Sequence, residues 1–85
     1  MVTELNEAAF DAFIDDKKYV LIDCWAPWCG PCRRMGPIIE ELSKDLEGKV
    51  AVAKLNTDES PGISARFEIN AIPTLLIFKD KVMLE

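Results

Sequence analysis

The segment Tyr19–Trp25, with the sequence YVLIDCW, constrains the fold of this chain more than any other. Six of its seven positions are apolar, and Asp23 is the exception. A strand with one face in water shows a polar residue at every second position, whereas this segment is apolar on both faces. We therefore expect a central strand of a parallel sheet that is covered on both sides.

Two short helices are predicted on either side of the middle of the chain. Asn6 is placed to cap the first helix. The apolar residues that recur in it at helical spacing are Phe10, Phe13 and Ile14. Ser60 is placed to cap the other helix, with Pro61 at its first position.

A longer helix is predicted between these two, from about Pro31 to Gly48. Pro37 lies inside it, so we expect a kink at that residue. Polar residues alternate with an apolar stripe that follows the helical period and should face the sheet. The members of this stripe are Cys32, Met35, Ile38, Ile39, Leu42 and Leu46.

The remaining predicted elements are strands at residues 50–56, 74–79 and 82–84, and a short strand at 2–4 would precede them. Asp80 is placed to turn the chain between the last two strands. Helices that alternate with strands indicate an α/β sheet with right-handed crossovers, and the last pair indicates an antiparallel hairpin.

Charge and residue types exclude several classes of function. The chain has 10 basic and 15 acidic residues, a net charge of −5, so nucleic acid is not an expected partner. It has no histidine, which excludes a Ser-His-Asp triad and every zinc site that requires histidine. The longest apolar run, residues 75–78, is far shorter than the roughly 20 residues of a membrane span. No secretory signal is apparent, so we expect one cytoplasmic domain over residues 1–85, without a membrane partner.

Three cysteines, Cys24, Cys29 and Cys32, lie within nine positions and allow three interpretations. A structural disulfide between the last two would close a very short loop and add only about 2 kcal/mol. An iron–sulfur site would use their C-x4-C-x2-C spacing, but the fourth cysteine is missing and no histidine replaces it. The third interpretation, which we favour, is a reversible dithiol with no metal.

The motif Cys29-Gly30-Pro31-Cys32 lies between the buried strand and the start of the long helix. The dipole and the free N–H groups of a helix start favour a thiolate at Cys29, which we expect to be exposed, with Cys32 inside. Gly30 would allow a close approach of the backbone, and Pro31 would fix its direction. The apolar neighbours that can flank the pair are Trp25, Pro27 and Trp28.

The string at residues 23–32, DCWAPWCGPC, resembles the active site of the thioredoxin family. The likeness continues through Pro37, VAKLN at 52–56 and AIPT at 71–74, so it covers nearly the whole chain. It implies a thioredoxin fold, with a central mixed sheet of four to five strands flanked by helices. It also implies reduction of oxidised client proteins, a thioredoxin reductase as electron donor, and no bound cofactor.

The resemblance assigns roles to individual residues. Cys29 would attack the client disulfide, and Cys32 would resolve the mixed disulfide. Asp23 could reach water from the end of its strand, but its neighbours Ile22 and Cys24 favour burial. It matches a buried aspartate that helps to deprotonate the resolving cysteine. Lys54 either reaches inward to Asp23 or extends its ammonium group to water. Trp25 is expected to be more buried than its neighbour at position 28.

Residues 72 and 73 are similar to the cis-proline loop that faces the dithiol in this family. In such a loop the backbone of Ile72 is free to pair with an extended client peptide. The resemblance then implies a flat apolar docking patch made of Trp28, Gly30, Pro31, Ala71, Ile72 and Pro73.

Two features depart from the family pattern, and two other functions stay open. Cys24 occupies a position where an aromatic residue is frequent, and we expect it to be a small buried residue opposite Asp23. The sequence ends at Glu85, next to the last predicted strand, so we expect the usual C-terminal helix to be missing and apolar sheet surface to be exposed. One alternative function is a disulfide oxidant or isomerase, but Gly-Pro between the cysteines argues against it. The other is a non-catalytic interaction module.

Overall fold

A computed structural model describes residues 2–84, which form a five-stranded sheet flanked by helices. Its elements are β1 (Thr3–Leu5), α1 (Phe10–Asp15), β2 (Tyr19–Trp25), α2 (Gly30–Asp45), β3 (Ala51–Asn56), α3 (Pro61–Arg66), β4 (Thr74–Lys79) and β5 (Val82–Met83). This order confirms the predicted α/β class. The expectation that concerns Glu85 lies outside the described residues. No helix within 2–84 is long and apolar enough to cross a membrane.

Strand β2 occupies the middle of the sheet, as its apolar sequence predicted. The strand order is β1-β3-β2-β4-β5. β2 pairs parallel with β3 and antiparallel with β4, which makes the sheet mixed. Asp23 consequently lies between Lys54 of β3 and Leu75 of β4. The hairpin of β4 and β5 turns at Asp80 and Lys81, which both have positive φ.

The two faces of the sheet carry separate apolar clusters. Ile22 and Cys24 of β2 belong to a cluster that includes residues of α1 and α3. Leu21 belongs to a second cluster on the other face, where Ile39 of α2 packs. Successive residues of a strand point to opposite faces, so Asp23 shares the α2 face with Leu21. A charged residue is thereby placed between the sheet and the helix that begins at the cysteine pair.

Helix α1 begins later in the chain than the predicted cap at Asn6 implies. The Oδ1 atom of Asn6 accepts a hydrogen bond from the N–H of Ala9 at 2.8 Å. However, residues 7–9 form a turn, and α1 starts at Phe10. Asn6 therefore caps the turn that leads into the helix.

Helix α3 is capped by a residue from a distant part of the chain. Ser60 is its N-cap residue, as predicted, but its hydroxyl group is buried without a hydrogen-bond partner among residues 2–84. The Oε1 atom of Glu7 instead accepts hydrogen bonds from the N–H groups of Gly62 at 2.7 Å and Ile63 at 3.3 Å. The prediction was right about where α3 begins and wrong about which side chain caps it.

Helix α2 runs unbroken from Gly30 to Asp45 through Pro37, and the kink at that proline stays a prediction. Gly48 has a φ of 84°, a conformation that favours glycine, and the chain turns away from the helix there. The predicted stripe is wrong at Ile38, which is 65% exposed. The buried positions of the helix are Cys32, Ile39 and Ser43, and Ile38 lies to one side of this line.

Part of the α2 face of the sheet is exposed, as the sequence predicted. Leu75 and Ile77 of β4 lie on this face, because they pair with Asp23 and Leu21. Both are exposed, and so is Val82 of β5. Helix α2 therefore packs on the β2 and β3 part of this face, and the β4–β5 side is open.

Candidate active site

A disulfide bond joins Cys29 to Cys32 at the N-terminus of α2. Cys29 is the N-cap residue, and Cys32 follows about one helical turn later, which places their Cα atoms 5.3 Å apart. The Sγ atom of Cys29 also accepts a hydrogen bond from the N–H of Cys32 at 3.1 Å. This N–H is one of those that a helix leaves unpaired at its start. The same group can stabilise a thiolate on Cys29 after the disulfide is reduced.

Neither cysteine is prominently exposed in this oxidised form. Cys29 is 4% exposed and Cys32 is 3% exposed, so the expected contrast between an exposed and a buried cysteine is wrong. Trp25 and Ile72 pack against the cluster that contains the pair. Neighbouring side chains, and not the cysteines themselves, therefore form most of the surface around the disulfide.

The loop at residues 71–74 lies against the disulfide. The Ile72–Pro73 peptide bond is cis, as the resemblance predicted. The carbonyl oxygen of Ile72 is 3.9 Å from the Sγ atom of Cys29. The hydroxyl group of Thr74 donates a hydrogen bond to the carbonyl of Ala71. Because β4 begins at Thr74 and pairs with β2, the sheet holds this loop beside the start of α2.

Trp28 is 70% exposed next to the cysteine pair. Its indole N–H donates to both carboxylate oxygens of Asp58, at 3.2 and 3.1 Å. Asp58 follows β3, and the sequence analysis did not identify it. The sequence feature that could have identified Asp58 is its position after β3. Parallel strands β2 and β3 end at the same edge of the sheet, so residues that follow them lie close together. Trp28 also borders a groove of about 470 Å³, lined in addition by Thr57, Pro61, Ile69, Ala71 and Ile72.

The first residues of α2 contribute Gly30 and Pro31 to the surface. Pro31 is exposed and Gly30 is half-buried. A Cβ atom placed on Gly30 would meet Nη1 of Arg34 at 3.8 Å, an ordinary contact. The close approach that Gly30 is expected to allow stays a prediction. Arg34 is a further residue at this surface that the sequence analysis did not identify.

The side chain of Asp23 is fully buried on the α2 face of the sheet. Neither of its carboxylate oxygens has a hydrogen-bond partner among residues 2–84. Burial raises the pKa of Asp23 above its ordinary value, and the positive charge of Lys54 opposes part of this rise. The predicted burial of Asp23 is thus confirmed. A buried carboxyl group with a raised pKa is suited to taking up and releasing a proton.

Lys54 lies beside Asp23 in the sheet without forming an ion pair. The two residues are in register, and Lys54 is half-buried. Its Nζ atom is 4.4 Å from the ring centroid of Trp25, a cation–π contact. Among residues 2–84 no carboxylate oxygen lies within 4.0 Å of Nζ. Trp25 is half-buried and deeper than Trp28, as predicted.

The third cysteine, Cys24, lies on the opposite face of the sheet from Asp23. It is fully buried in the cluster beneath α1 and α3. Burial, and to a lesser extent the charge of Asp23, raises the pKa of its thiol to about 12. Cys24 is therefore protonated at neutral pH and behaves as a small apolar residue, as predicted. Within residues 2–84, no three His, Cys, Asp or Glu side chains form a group that could hold a metal ion.

Fold and site together define an α/β protein with a redox-active cysteine pair at the start of a helix. The protein family described as Thioredoxin matches residues 1–85, the whole chain. The chain belongs to the thioredoxin family.

Individual relatives agree with this assignment. "Thioredoxin M-type, chloroplastic" of Spinacia oleracea is 48% identical over 80 residues, which are 93% of this chain and 44% of that protein. "Thioredoxin" of Synechocystis is 49% identical over 77 residues, 89% of this chain and 72% of that protein. "Thioredoxin" of Chlorobaculum thiosulfatiphilum is 54% identical over 66 residues, 78% of this chain and 61% of that protein. The chain thus spans 44% to 72% of the length of these three relatives.

Proposed function

We propose that this protein reduces disulfide bonds of client proteins through a reversible Cys29–Cys32 disulfide, as a single domain of residues 1–85. The observation that carries the proposal is the disulfide at the start of α2, beside the loop at residues 71–74. Membership of the thioredoxin family supports the same chemistry.

Cys29 begins the exchange in the reduced protein. Its thiolate is stabilised by the N–H of Cys32 and by the positive end of the α2 dipole. The thiolate attacks one sulfur of the client disulfide, so that a Cys29–client bond forms as the client S–S bond breaks. The other client sulfur leaves as a thiolate and takes up a proton.

Cys32 completes the exchange. Its thiol loses a proton, and the thiolate attacks the Sγ atom of Cys29, so the Cys29–Cys32 bond forms and the second client sulfur leaves. Two electrons have then passed from the cysteine pair to the client. Asp23 is the proposed proton acceptor, since its raised pKa makes its carboxylate a stronger base than an exposed aspartate. Lys54 and Trp25 support this step by setting the charge and packing near Asp23.

Client segments bind across the surface beside the disulfide. The backbone of Ile72 can pair with an extended peptide, which positions a client cystine near Cys29. Exposed apolar groups around this point exclude water from the reacting sulfurs. The residues of the proposed docking patch are Trp28, Gly30, Pro31, Ala71, Ile72 and Pro73.

A thioredoxin reductase would return two electrons to the oxidised pair, with no cofactor bound to this chain. The cytoplasm is the proposed compartment, because it keeps dithiols reduced.

The test is the rate at which the protein catalyses reduction of a protein disulfide by dithiothreitol. Cys29→Ser should abolish catalysis, because the attacking thiolate is lost. With pre-reduced protein and no dithiothreitol present, Cys32→Ser should accumulate a covalent Cys29–client adduct, because no second thiol resolves it. Cys24→Ala is the matched control, and it should retain the wild-type rate because Cys24 is buried on the opposite face.

Other outcomes would support a different function. Wild-type rates for Cys29→Ser would contradict the proposal. A reduction potential near about −180 to −120 mV, instead of about −270 mV, would indicate an oxidant or isomerase. Full activity in the cell for a variant that lacks both Cys29 and Cys32 would indicate a non-catalytic interaction module.

A further inference from the structure

Arg34 places a positive charge on the surface beside the cysteine pair. It lies one helical turn after Gly30 in α2, and its Nη1 atom is 3.8 Å from the point where a Gly30 Cβ would be. Gly30 directly follows Cys29, so the guanidinium group lies against the proposed docking patch. A client segment that reaches Cys29 along α2 would pass this group.

The guanidinium group of Arg34 forms no ion pair within residues 2–84. The side chain is exposed, and no carboxylate oxygen of residues 2–84 lies within 4.0 Å of it. A cation near the start of a helix opposes the helix dipole, and the first turn of α2 contains no acidic residue to offset it. Arg66 differs, because it pairs with Asp11 at 2.9 Å and lies over the ring of Phe67. Arg34 is therefore free to bind a carboxylate of another molecule.

The other side of the cysteine pair is acidic. Asp58 is exposed and holds the indole of Trp28, and Glu59 next to it is exposed as well. The charge of the docking surface thus differs on the two sides of the disulfide. Carboxylates lie beyond Trp28, and the guanidinium group of Arg34 lies over Gly30. A client segment with an acidic residue on the α2 side fits this arrangement, and one with a basic residue there does not.

We infer that Arg34 is a specificity-determining residue that favours client disulfides flanked by an Asp or Glu side chain. The inference rests on the proposed reductase function and adds a substrate class to it. An exposed charge acts mainly on the encounter with the client. Its effect should therefore appear in kcat/KM and depend on ionic strength.

The experiment uses three disulfide substrates and three forms of the protein. Two synthetic peptides contain one internal disulfide each and differ only in a flanking residue, Glu in one and Lys in the other. Hydroxyethyl disulfide is the small neutral substrate. The proteins are the wild type, Arg34→Met and Lys44→Met. Lys44 lies in the last turn of α2, so its loss changes the net charge equally but leaves the docking surface intact.

Arg34→Met should lower kcat/KM for the Glu peptide about two- to fivefold, the range of an exposed ion pair. It should raise kcat/KM for the Lys peptide slightly and leave the neutral substrate unchanged. The loss should shrink at high salt. Equal effects on both peptides, or the same pattern in Lys44→Met, would overturn the inference while the reductase function stands. If the wild type reduced none of the three substrates, the proposed function would fail, and the inference with it.

Discussion

The buried carboxyl group of Asp23 makes the stability of the folded chain depend on pH. Burial raises its pKa in the folded state above the ordinary value of 3.8, so the folded state binds this proton more tightly than the unfolded state. The contribution of Asp23 to stability is therefore most favourable below pH 3.8. This contribution is lost as the pH rises through the pKa of Asp23 in the folded state, because the carboxyl group of Asp23 ionises at lower pH in the unfolded chain.

Asp23→Ala should consequently stabilise the protein at neutral pH. We expect its free energy of unfolding at pH 7 to rise by about 1–3 kcal/mol, because a buried group without hydrogen-bond partners among residues 2–84 is removed. The gain should shrink strongly at about pH 2.5, where Asp23 is almost entirely neutral in both states. Urea unfolding at the two pH values measures both quantities. Asp15→Ala, at an exposed position, is the control and should change stability by less than about 0.5 kcal/mol.

A loss of stability at pH 7, or an equal gain at both pH values, would contradict this account of Asp23. In the same variant, an unchanged pH dependence of Cys32 attack would contradict its proposed role as proton acceptor while leaving the stability argument intact.

Single residues of the site were predictable where local sequence determines their environment. Ile22 and Cys24 beside Asp23 were enough to predict that its carboxyl group is buried. Asp58 was not predictable in this way, because its bond to Trp28 joins residues 30 positions apart. Arg34 was missed because its contact with the docking surface depends on the direction in which its side chain points.

At the scale of the elements, the cap of α3 ties two distant parts of the chain together. Glu7 lies in the turn before α1 and accepts hydrogen bonds from two N–H groups in the first turn of α3. Glu7→Ala should lower the free energy of unfolding by about 0.5–2 kcal/mol, the usual effect of losing a helix cap. Glu7→Gln should lose less, because an amide oxygen can still accept. Urea unfolding at pH 7 provides the comparison.

Ser60→Ala is the matched control for this prediction. Ser60 occupies the N-cap position, yet its hydroxyl group has no hydrogen-bond partner among residues 2–84. The substitution should therefore change stability by less than about 0.5 kcal/mol, or raise it. A larger loss for Ser60→Ala than for Glu7→Ala would show that Ser60 caps α3 in solution.

Elements were predictable from local patterns, whereas contacts between them were not. The apolar run of β2 predicted a central strand, and proline and glycine marked where α2 and α3 begin and where α2 has ended. The cap by Glu7 was not visible, because it spans 55 positions of sequence. Ile38 was misplaced for a related reason. Its spacing fits the apolar stripe of α2, but only the packed structure shows which part of the stripe meets the sheet.

At the scale of the whole molecule, the disulfide couples redox state to folding. The cysteine pair packs with Trp25, Ala26 and Ile72, which lie at the end of β2 and before β4. These positions meet only in the folded chain, and helix α2 holds the two sulfurs about one turn apart. In the unfolded chain the same two thiols must be brought together against the entropy of a flexible loop. The free energy by which the disulfide stabilises the fold must therefore equal the free energy by which the fold stabilises the disulfide.

This coupling predicts two quantities that must agree. The oxidised protein should unfold with a free energy about 2 kcal/mol higher than the reduced protein, the entropy term for so short a loop. The reduction potential should then be about 40 mV lower in the folded than in the denatured protein, since 30 mV corresponds to about 1.4 kcal/mol for two electrons. Urea unfolding of both redox forms gives the first value. Equilibration in dithiol buffers with and without denaturant, followed by tryptophan fluorescence, gives the second. A potential that denaturant leaves unchanged, with both forms equally stable, would contradict this coupling and mean that the fold does not favour the disulfide over the two thiols.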